Sequence, residues 1–342
     1  MRTFIIAEAG VNHNGDIKIA KKLIDVAVDA HADAIKFQTF KAENVVTSST
    51  PKAKYQIKNM GTDESPFEML KKLELPVSAY KELFAYCEEK NIIFMSTPFD
   101  EESADFLDSM GMGIFKIPSG EITNKPLLQH IAAKGKPILL STGMSYLGEV
   151  EKAVIWINDI RDGLDKKPEL TLLHCVSNYP ASEEDSNLLA MKTMEAAFGL
   201  PVGYSDHTLG VEISIAAVAM GAKVIEKHFT LDRNMEGPDH KASLEPDELR
   251  AMISGIRKVE KALGDGIKKP TKSEAELQKV ARRSLVLARD IKAGETISAN
   301  DITTKRPGTG IEPEFLDFID GMKAKKDIIA DSVLKWDDLK DA

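Results

Sequence analysis

The sequence predicts a (β/α)8 barrel followed by a small all-β module, on three observations. Eight short apolar runs alternate with eight segments of helical length over residues 1–263. Polar or charged residues close every run, where a sheet with a single crevice would place them at one switch point. Beyond Leu263 the alternation stops and short, turn-rich β-like pieces take over. An open doubly wound sheet is the competing arrangement for the first part.

The runs are TFIIAEA from Thr3, DAIKFQT from Asp33, IIFMSTP from Ile92, IFKIPSG from Ile114, PILLSTG from Pro137, LTLLHCV from Leu170, PVGYSDH from Pro201 and KVIEKHFT from Lys223. Continuous apolar character of this kind belongs to strands buried on both faces. Between them, Ile17 to Ala30 carries Ile19, Leu23, Val26, Ala27 and Ala30 on one helical stripe. Similar stripes occupy Ser78–Lys90, Glu101–Met110, Lys125–Ala133, Leu147–Ile160, Asn187–Phe198, Val211–Met220 and Pro246–Leu263. The connection from Lys41 to Leu75 is unusually long, and is expected either to fold over the barrel mouth or to decorate the surface. The stretch GDGIKKPTKSE reads as linker, so the expected division is a barrel over 1–263, a linker over 264–281 and a β module over 282–342. That module buries little core alone, and docking on another surface is expected.

Composition narrows the function classes. The chain has 342 residues, 43% hydrophobic and 29% charged, with a formal net charge of −9. This argues against nucleic acid or an anionic membrane as the main partner, while leaving room for a local basic pocket. No apolar run approaches the roughly 20 residues of a membrane span, and the opening MRTFIIAEAG reads as a first strand rather than a signal peptide. Two cysteines, Cys87 and Cys175, imply no disulfide framework, and a cytoplasmic location is expected.

The chemistry is expected at the C-terminal ends of the strands. Those ends carry Glu8, Lys36, Gln38, Thr97, Lys116, Ser119, Glu121, Ser141, Ser177, Asn178, Tyr179, Ser205, His207 and His228. The segment from Pro201 to His240 organises the rest, because His207 and His228 close two strands joined by one helix. Parallel neighbours would bring the two imidazoles to roughly 5 Å, within reach of one metal ion. A pair of half-buried histidines capping strands is the plainer alternative, and Asp239 and His240 of GPDH are further candidates at the metal. Two lysines, Lys36 and Lys116, within apolar strands and near several hydroxyls, suggest a pocket for a phosphate or carboxylate. Glu8 and Glu121 are either general acid–base groups or ion-pair partners of those lysines. There is no P-loop, no strand-linked GxGxxG and no CxxC.

Ten motifs in order, AEAGVNHNG, KFQTF, STPFD, FKIPSGE, LLSTGM, LLHCVSNYP, GYSDHT, IEKHFTLD, GPDH and KRPGTG, resemble the bacterial sialic acid synthase family over nearly the whole chain. The C-terminal module resembles that family's antifreeze-like (SAF) domain. The resemblance implies condensation of phosphoenolpyruvate with an N-acylated mannosamine-type sugar, with release of phosphate. It implies His207 and His228 as ligands of a divalent ion, manganese first, with magnesium or cobalt as substitutes. It assigns Lys116, Ser119, Thr97, Ser141 and Ser205 to phosphoenolpyruvate, and Lys36, Gln38, Glu8, Tyr179 and Asp239 to the sugar and reacting carbons. Glu121 is implied in proton transfer or water orientation. Arg306 is implied as a residue sent into the site by the partner subunit of a domain-swapped homodimer. Some members carry asparagine where this chain has Ser177, so the resemblance leaves open whether Ser177 or Asn178 faces the substrate. The expected acceptor is N-acetylmannosamine and the product N-acetylneuraminate; the alternative acceptor is 2,4-diacetamido-2,4,6-trideoxymannose, the legionaminic acid precursor. A Schiff-base aldolase using Lys36 or Lys116, and an ice- or carbohydrate-binding protein, are the readings from other classes.

Overall fold

The computed structural model describes residues 2–47 and 65–341. It separates into two compact units, Met1–Gly264 and Asp265–Ala342. The first unit runs β1 (Phe4–Gly10), α1 (Ile17–Asp29), β2 (Ala34–Thr39), α2 (Ala42–Val45), α3 (Pro66–Leu73), α4 (Val77–Glu89), β3 (Ile93–Pro98), α5 (Glu101–Ser109), β4 (Phe115–Ile117) and α6 (Lys125–Ala133). It continues with β5 (Ile138–Ser141), α7 (Leu147–Arg161), β6 (Leu170–Cys175), α8 (Ala190–Phe198), β7 (Val202–Asp206), α9 (Glu212–Ala219), β8 (Val224–His228) and α10 (Pro246–Leu263).

The strand order β3-β2-β1-β8-β7-β6-β5-β4 puts β1 beside β8, which a doubly wound sheet would not do. All its ladders are parallel. The two ends, β3 and β4, lie alongside one another without forming a ladder, so the barrel is nearly closed. At that seam the Ser96 amide donates to Met112 Sδ at 3.2 Å, a sulfur standing where a neighbouring carbonyl would be.

The main core fills the space between strands and helices, from Ile5, Ile35 and Phe115 to Leu249 and Ile256. A second apolar layer plugs the barrel itself: Ile6, Ala34, Met95, Leu139, Leu173 and Val224. Side chains two residues further along a strand share its face. The positions above this plug are therefore Glu8, Lys36, Thr97, Ser141, Cys175 and Glu226. The barrel interior changes from apolar to charged within one pleat, at the end where the chemistry was expected.

The long connection contributes α2 and α3. Ser65 and Glu68 cap α3 reciprocally, and Pro66 opens it. The expected covering of the mouth by 41–75 falls in part on residues 48–64, which lie outside the described residues. No helix among the described residues is long and apolar enough to cross a membrane.

The second unit holds α11 (Lys272–Ala281), β9 (Ser284–Leu287), β10 (Ile302–Lys305), α12 (Leu316–Ile319), β11 (Lys323–Ala324) and β12 (Leu339–Lys340). Its two small antiparallel sheets enclose a core of Leu285, Leu287, Ile291, Ile297, Ile311 and Leu334. The stretch 264–281, expected as linker, contains the helix α11. Thr271 and Glu274 cap it reciprocally, and none of its residues is buried.

Candidate active site

Glu226 occupies the centre of the charged layer, and reading the strand ends did not single it out. Its Oε1 accepts from Lys116 Nζ at 3.1 Å and from Ser205 Oγ at 2.8 Å. Its Oε2 lies 3.6 Å from Lys36 Nζ. Lys36 also lies 2.9 Å from Glu8 Oε2 and donates to Thr97 Oγ1 at 2.9 Å. Glu8 Oε2 and Glu226 Oε2 are buried, each is ion-paired to Lys36, and neither has a further hydrogen-bond partner among the described residues. All four charged groups are at least 96% buried, with Glu8 at 1%, Lys36 at 2%, Glu226 at 3% and Lys116 at 4% exposure. A signal for Glu226 was present: it stands two residues before His228 and so shares its face.

Burial sets the electrostatics of this group, and the pairings then redistribute the charge. Burial raises the Glu8 carboxyl to about 7, against the pull of Lys36. Burial also disfavours a charged Glu226, but Lys116 and Lys36 outweigh it and hold that carboxyl well below its ordinary value. Lys116 is pushed down by burial. Lys36 is held above its ordinary value, because Glu226 and Glu8 overcome the same effect. Near neutral pH the pit therefore carries a protonated Lys36, a firm carboxylate at Glu226 and a carboxyl in mid-titration at Glu8, with Lys116 drawn towards its neutral form by burial.

His207 and His228 stand above these charges. They end neighbouring parallel strands, as expected, with ring centroids 5.6 Å apart. His207 Nδ1 donates to the Val176 carbonyl at 2.6 Å, which turns Nε2 away from the backbone. Burial pushes His207 down to about 4, and His228 also lies well below its ordinary value. Both rings are thus neutral, the form that ligates metals. His228 Nδ1 is buried with no partner among the described residues, an orphan that a bound cation would satisfy. No group of three or more His, Cys, Asp or Glu suited to a metal occurs among the described residues, so a cation here would take its remaining ligands from water or substrate. The Tyr179 ring packs on His207 with centroids 4.2 Å apart.

Two close approaches shape the rim. Gly10 has φ +53°, and a Cβ there would sit 3.3 Å from His228 Cε1 and 3.4 Å from Glu8 Oε1. At Gly143 a Cβ would come 2.4 Å from Ser177 Oγ and 2.8 Å from Ser119 Oγ, so only glycine admits the hydrogen bond from Gly143 N to Ser119 Oγ at 3.0 Å.

Two connected cavities result. The inner one, about 60 Å³, is lined by Glu8, Lys36, Gln38, Thr97, Lys116, Ser119, Ser141, Tyr179, Ser205, His207, Glu226 and His228. The outer one, about 510 Å³, shares Gln38, Phe99, Ser119, Tyr179 and His228 with it and adds Ser177 and Asp239. Asp239 is buried, and that burial raises its carboxyl to about 6. Most of the predicted residues thus converge on one place. Ser177, rather than its neighbour Asn178, lines the outer cavity. Glu121 lines neither; its Oε2 accepts from Asn124 Nδ2 at 2.7 Å, ahead of α6. Arg306 belongs to the second unit, which has its own core. His240, the further metal candidate, bonds Thr230 Oγ1 at 2.7 Å and Asn14 Oδ1 at 3.2 Å, and His174 bonds the Ser186 carbonyl at 2.9 Å.

Comparison with known proteins bears on this geometry. The NeuB family model matches residues 23–268, and the SAF domain model matches residues 282–340. The N,N'-diacetyllegionaminic acid synthase of Campylobacter jejuni is 54% identical over 330 residues, covering 95% of this chain and 98% of its own. The protein of the same name from Legionella pneumophila is 48% identical over 340 residues, covering 99% and 95%. The N-acetylneuraminic acid synthetase of Leptospira borgpetersenii, solved with citrate, superposes with a TM-score of 0.71 at 38% identity, over 81% of this chain and 90% of its own. These findings correct one expectation. N-acetylmannosamine as acceptor and N-acetylneuraminate as product do not stand, because the relatives at 54% and 48% identity over the whole chain bear the legionaminic name. Nine of the ten motifs quoted above lie on the barrel and one, KRPGTG, lies in the second unit; they mark the family and did not separate the two sugars.

Proposed function

Since the chain belongs to the NeuB family, we propose that it condenses phosphoenolpyruvate with 2,4-diacetamido-2,4,6-trideoxymannose and water to give N,N'-diacetyllegionaminic acid and phosphate. The enzyme is a phosphoenolpyruvate-dependent transferase that forms a carbon–carbon bond to an N-acylated hexosamine-type sugar. One observation carries the assignment to this site: two buried lysines converge on Glu226 directly beneath a pair of neutral histidines.

The chemistry follows from that arrangement. Lys36 and Lys116, with Thr97, Ser119, Ser141 and Ser205, supply cations and hydroxyls for the phosphate and carboxylate of phosphoenolpyruvate. Carbon 3 of the enol ester attacks the sugar aldehyde, and carbon 2 becomes electron-poor. Glu226, held ionised between the lysines, is placed to stabilise that positive charge. Water adds at carbon 2, and phosphate leaves with cleavage of its bond to carbon 2. The attacking water gives up both protons as carbon 2 becomes the keto carbon: one matches the proton gained by the aldehyde oxygen, and the other leaves with phosphate. Glu8, titrating near neutrality, is suited to move such a proton. His207 and His228 would hold a divalent ion, which would supply Lewis acidity at the aldehyde oxygen. Gln38, Tyr179, Ser177 and Asp239 line the approach for the sugar.

Two finer points belong to the same reading. A homodimer that exchanges its C-terminal units would bring Arg306 to a barrel; the exposed Phe318 and Trp336 on that unit, whose rings meet at 5.9 Å, suit a docking face. A cytoplasmic location accords with two unpaired, buried cysteines.

The test is phosphate release from phosphoenolpyruvate by metal-stripped protein, with and without added manganese. The expected outcome is manganese-dependent release with 2,4-diacetamido-2,4,6-trideoxymannose and little with N-acetylmannosamine. Preference for N-acetylmannosamine would overturn the acceptor, and release indifferent to metal would overturn the histidine site.

A further inference from the structure

The inner cavity is too small to hold a hexosamine, so only the reacting end of the acceptor fits against His207 and His228. The rest of the sugar must lie in the outer cavity, which opens directly from it through Gln38, Phe99 and Tyr179. With the aldehyde carbon at the histidines, the opposite end of the sugar chain, carbon 6, falls furthest into that outer space.

The outer cavity has two unlike sides. One carries Ser177, Tyr179 and Asp239. The other is apolar, formed by Val46, Met69, Leu70, Leu73 and Phe99. This apolar side has a core of its own, in which Val11, Phe40, Met69 and Leu73 are buried and Leu70 and Phe99 pack against them. The Phe40 and Phe99 rings meet edge to face at 6.0 Å. Polar ties hold the backbone behind it: the Ala42 amide donates to Glu74 Oε1 at 2.6 Å, and Lys71 bridges to Glu43 at 2.7 Å. The surface is thus a packed wall in a cavity that also carries the polar Gln38, Ser177, Tyr179 and Asp239.

Resting on the acceptor assigned above, we propose that Val46, Leu70 and Phe99 read carbon 6 of the sugar and select a methyl group there over a hydroxymethyl. A methyl against this wall leaves no polar group without a partner. A hydroxyl in the same position gives up water and meets only hydrocarbon. Val46 and Leu70 from the connection between β2 and α4, with Phe99 after β3, then determine acceptor choice, and the barrel floor, which handles phosphoenolpyruvate, is indifferent to it.

The experiment uses sugars that differ only at carbon 6: 2,4-diacetamido-2,4-dideoxymannose against its 6-deoxy counterpart, and N-acetylmannosamine against its 6-deoxy analogue. Wild-type protein is expected to favour the 6-deoxy member of the accepted pair in kcat/KM by about 10-fold or more. The variants Val46→Thr, which keeps side-chain volume, and Leu70→Asn are expected to reduce that ratio about 10-fold through KM for the sugar. KM for phosphoenolpyruvate and the melting temperature should stay near wild type. Equal use of the two members of the accepted pair by wild-type protein would overturn the proposal, as would an unchanged ratio in both folded variants. Acceptance of the N-acetylmannosamine pair alone would instead overturn the acceptor assignment, and its carbon 6 comparison would still decide for or against the wall.

Discussion

Strands β7 and β8 carry charge on both faces, and the two faces satisfy it differently. On the outer face Asp206 and Lys227 form an ion pair at 2.8 Å with both side chains fully buried. Asp206 Oδ1 accepts from the Thr208 amide at 2.9 Å and its hydroxyl at 2.7 Å, Oδ2 accepts from Ser214 Oγ at 2.7 Å, and Lys227 also donates to the Thr208 carbonyl at 2.6 Å. On the inner face, one residue away along each strand, Glu226 pairs with Lys116 and with Lys36, which also pairs with Glu8, and three buried polar atoms of this layer and its rim have no hydrogen-bond partner of good geometry among the described residues: Glu8 Oε2, Glu226 Oε2 and His228 Nδ1. Residue types and burial are alike, but satisfaction is not. A saturated pair has nothing left for a ligand and serves to lock the turn after β7. An unsaturated cluster retains bonding capacity that substrate can use.

Three measurements press on this contrast. Replacing Lys227 with Met strands a buried carboxylate, and should cost about 3–5 kcal/mol of unfolding free energy in a urea titration. Turnover of the folded protein should remain within a few-fold of wild type; a much larger loss would mean that the outer pair also serves the chemistry. Lys116→Met should show the reverse balance. Phosphate release should fall by about 10²–10³-fold, while the stability loss stays below that of Lys227→Met, because Glu226 keeps Lys36 and Ser205. Comparable stability losses in the two variants would erase the distinction between the faces.

The smallest effect is a pH dependence. Below about 7 Glu8 is protonated and adds no charge to the pit. Above about 7 Glu8 ionises and adds a negative charge beside Lys36. Affinity of metal-free protein for phosphoenolpyruvate should therefore fall, on the order of 10-fold, as pH rises through 7. The fall is read by calorimetry as the difference between wild type and Glu8→Gln, which removes the ligand's own titration from the comparison. Parallel profiles for the two proteins would show that Glu8 does not control the charge of the pit.

The contrast also marks what was readable in advance. His207 and His228 were legible because each closes an apolar run and one short helix joins the two strands, which leaves parallel pairing as the natural arrangement. Lys36 and Lys116 were legible as charges set inside hydrocarbon. Glu226 was hidden by its neighbour: EKH offers an acid and a base side by side, and composition does not say which faces inward. The period of the strand does say so, once His228 is placed at the mouth. Glu121 was named because it follows FKIPSG closely; the short 3-10 turn from Ser119 to Glu121 holds its carboxylate against Asn124.

Sequence alone determined the barrel, the end of it that gathers the polar residues, and the lysines, hydroxyls and histidines set at that end, because these depend on local periodicity and on which residue types tolerate burial. Tertiary structure alone decided which carboxylate each lysine holds, which polar atoms remain unsatisfied, and that α2 and α3 bring an apolar wall to the outer cavity. Those properties depend on distances between strands and loops far apart in the chain, and such distances exist only after the barrel has curled round to place β1 against β8.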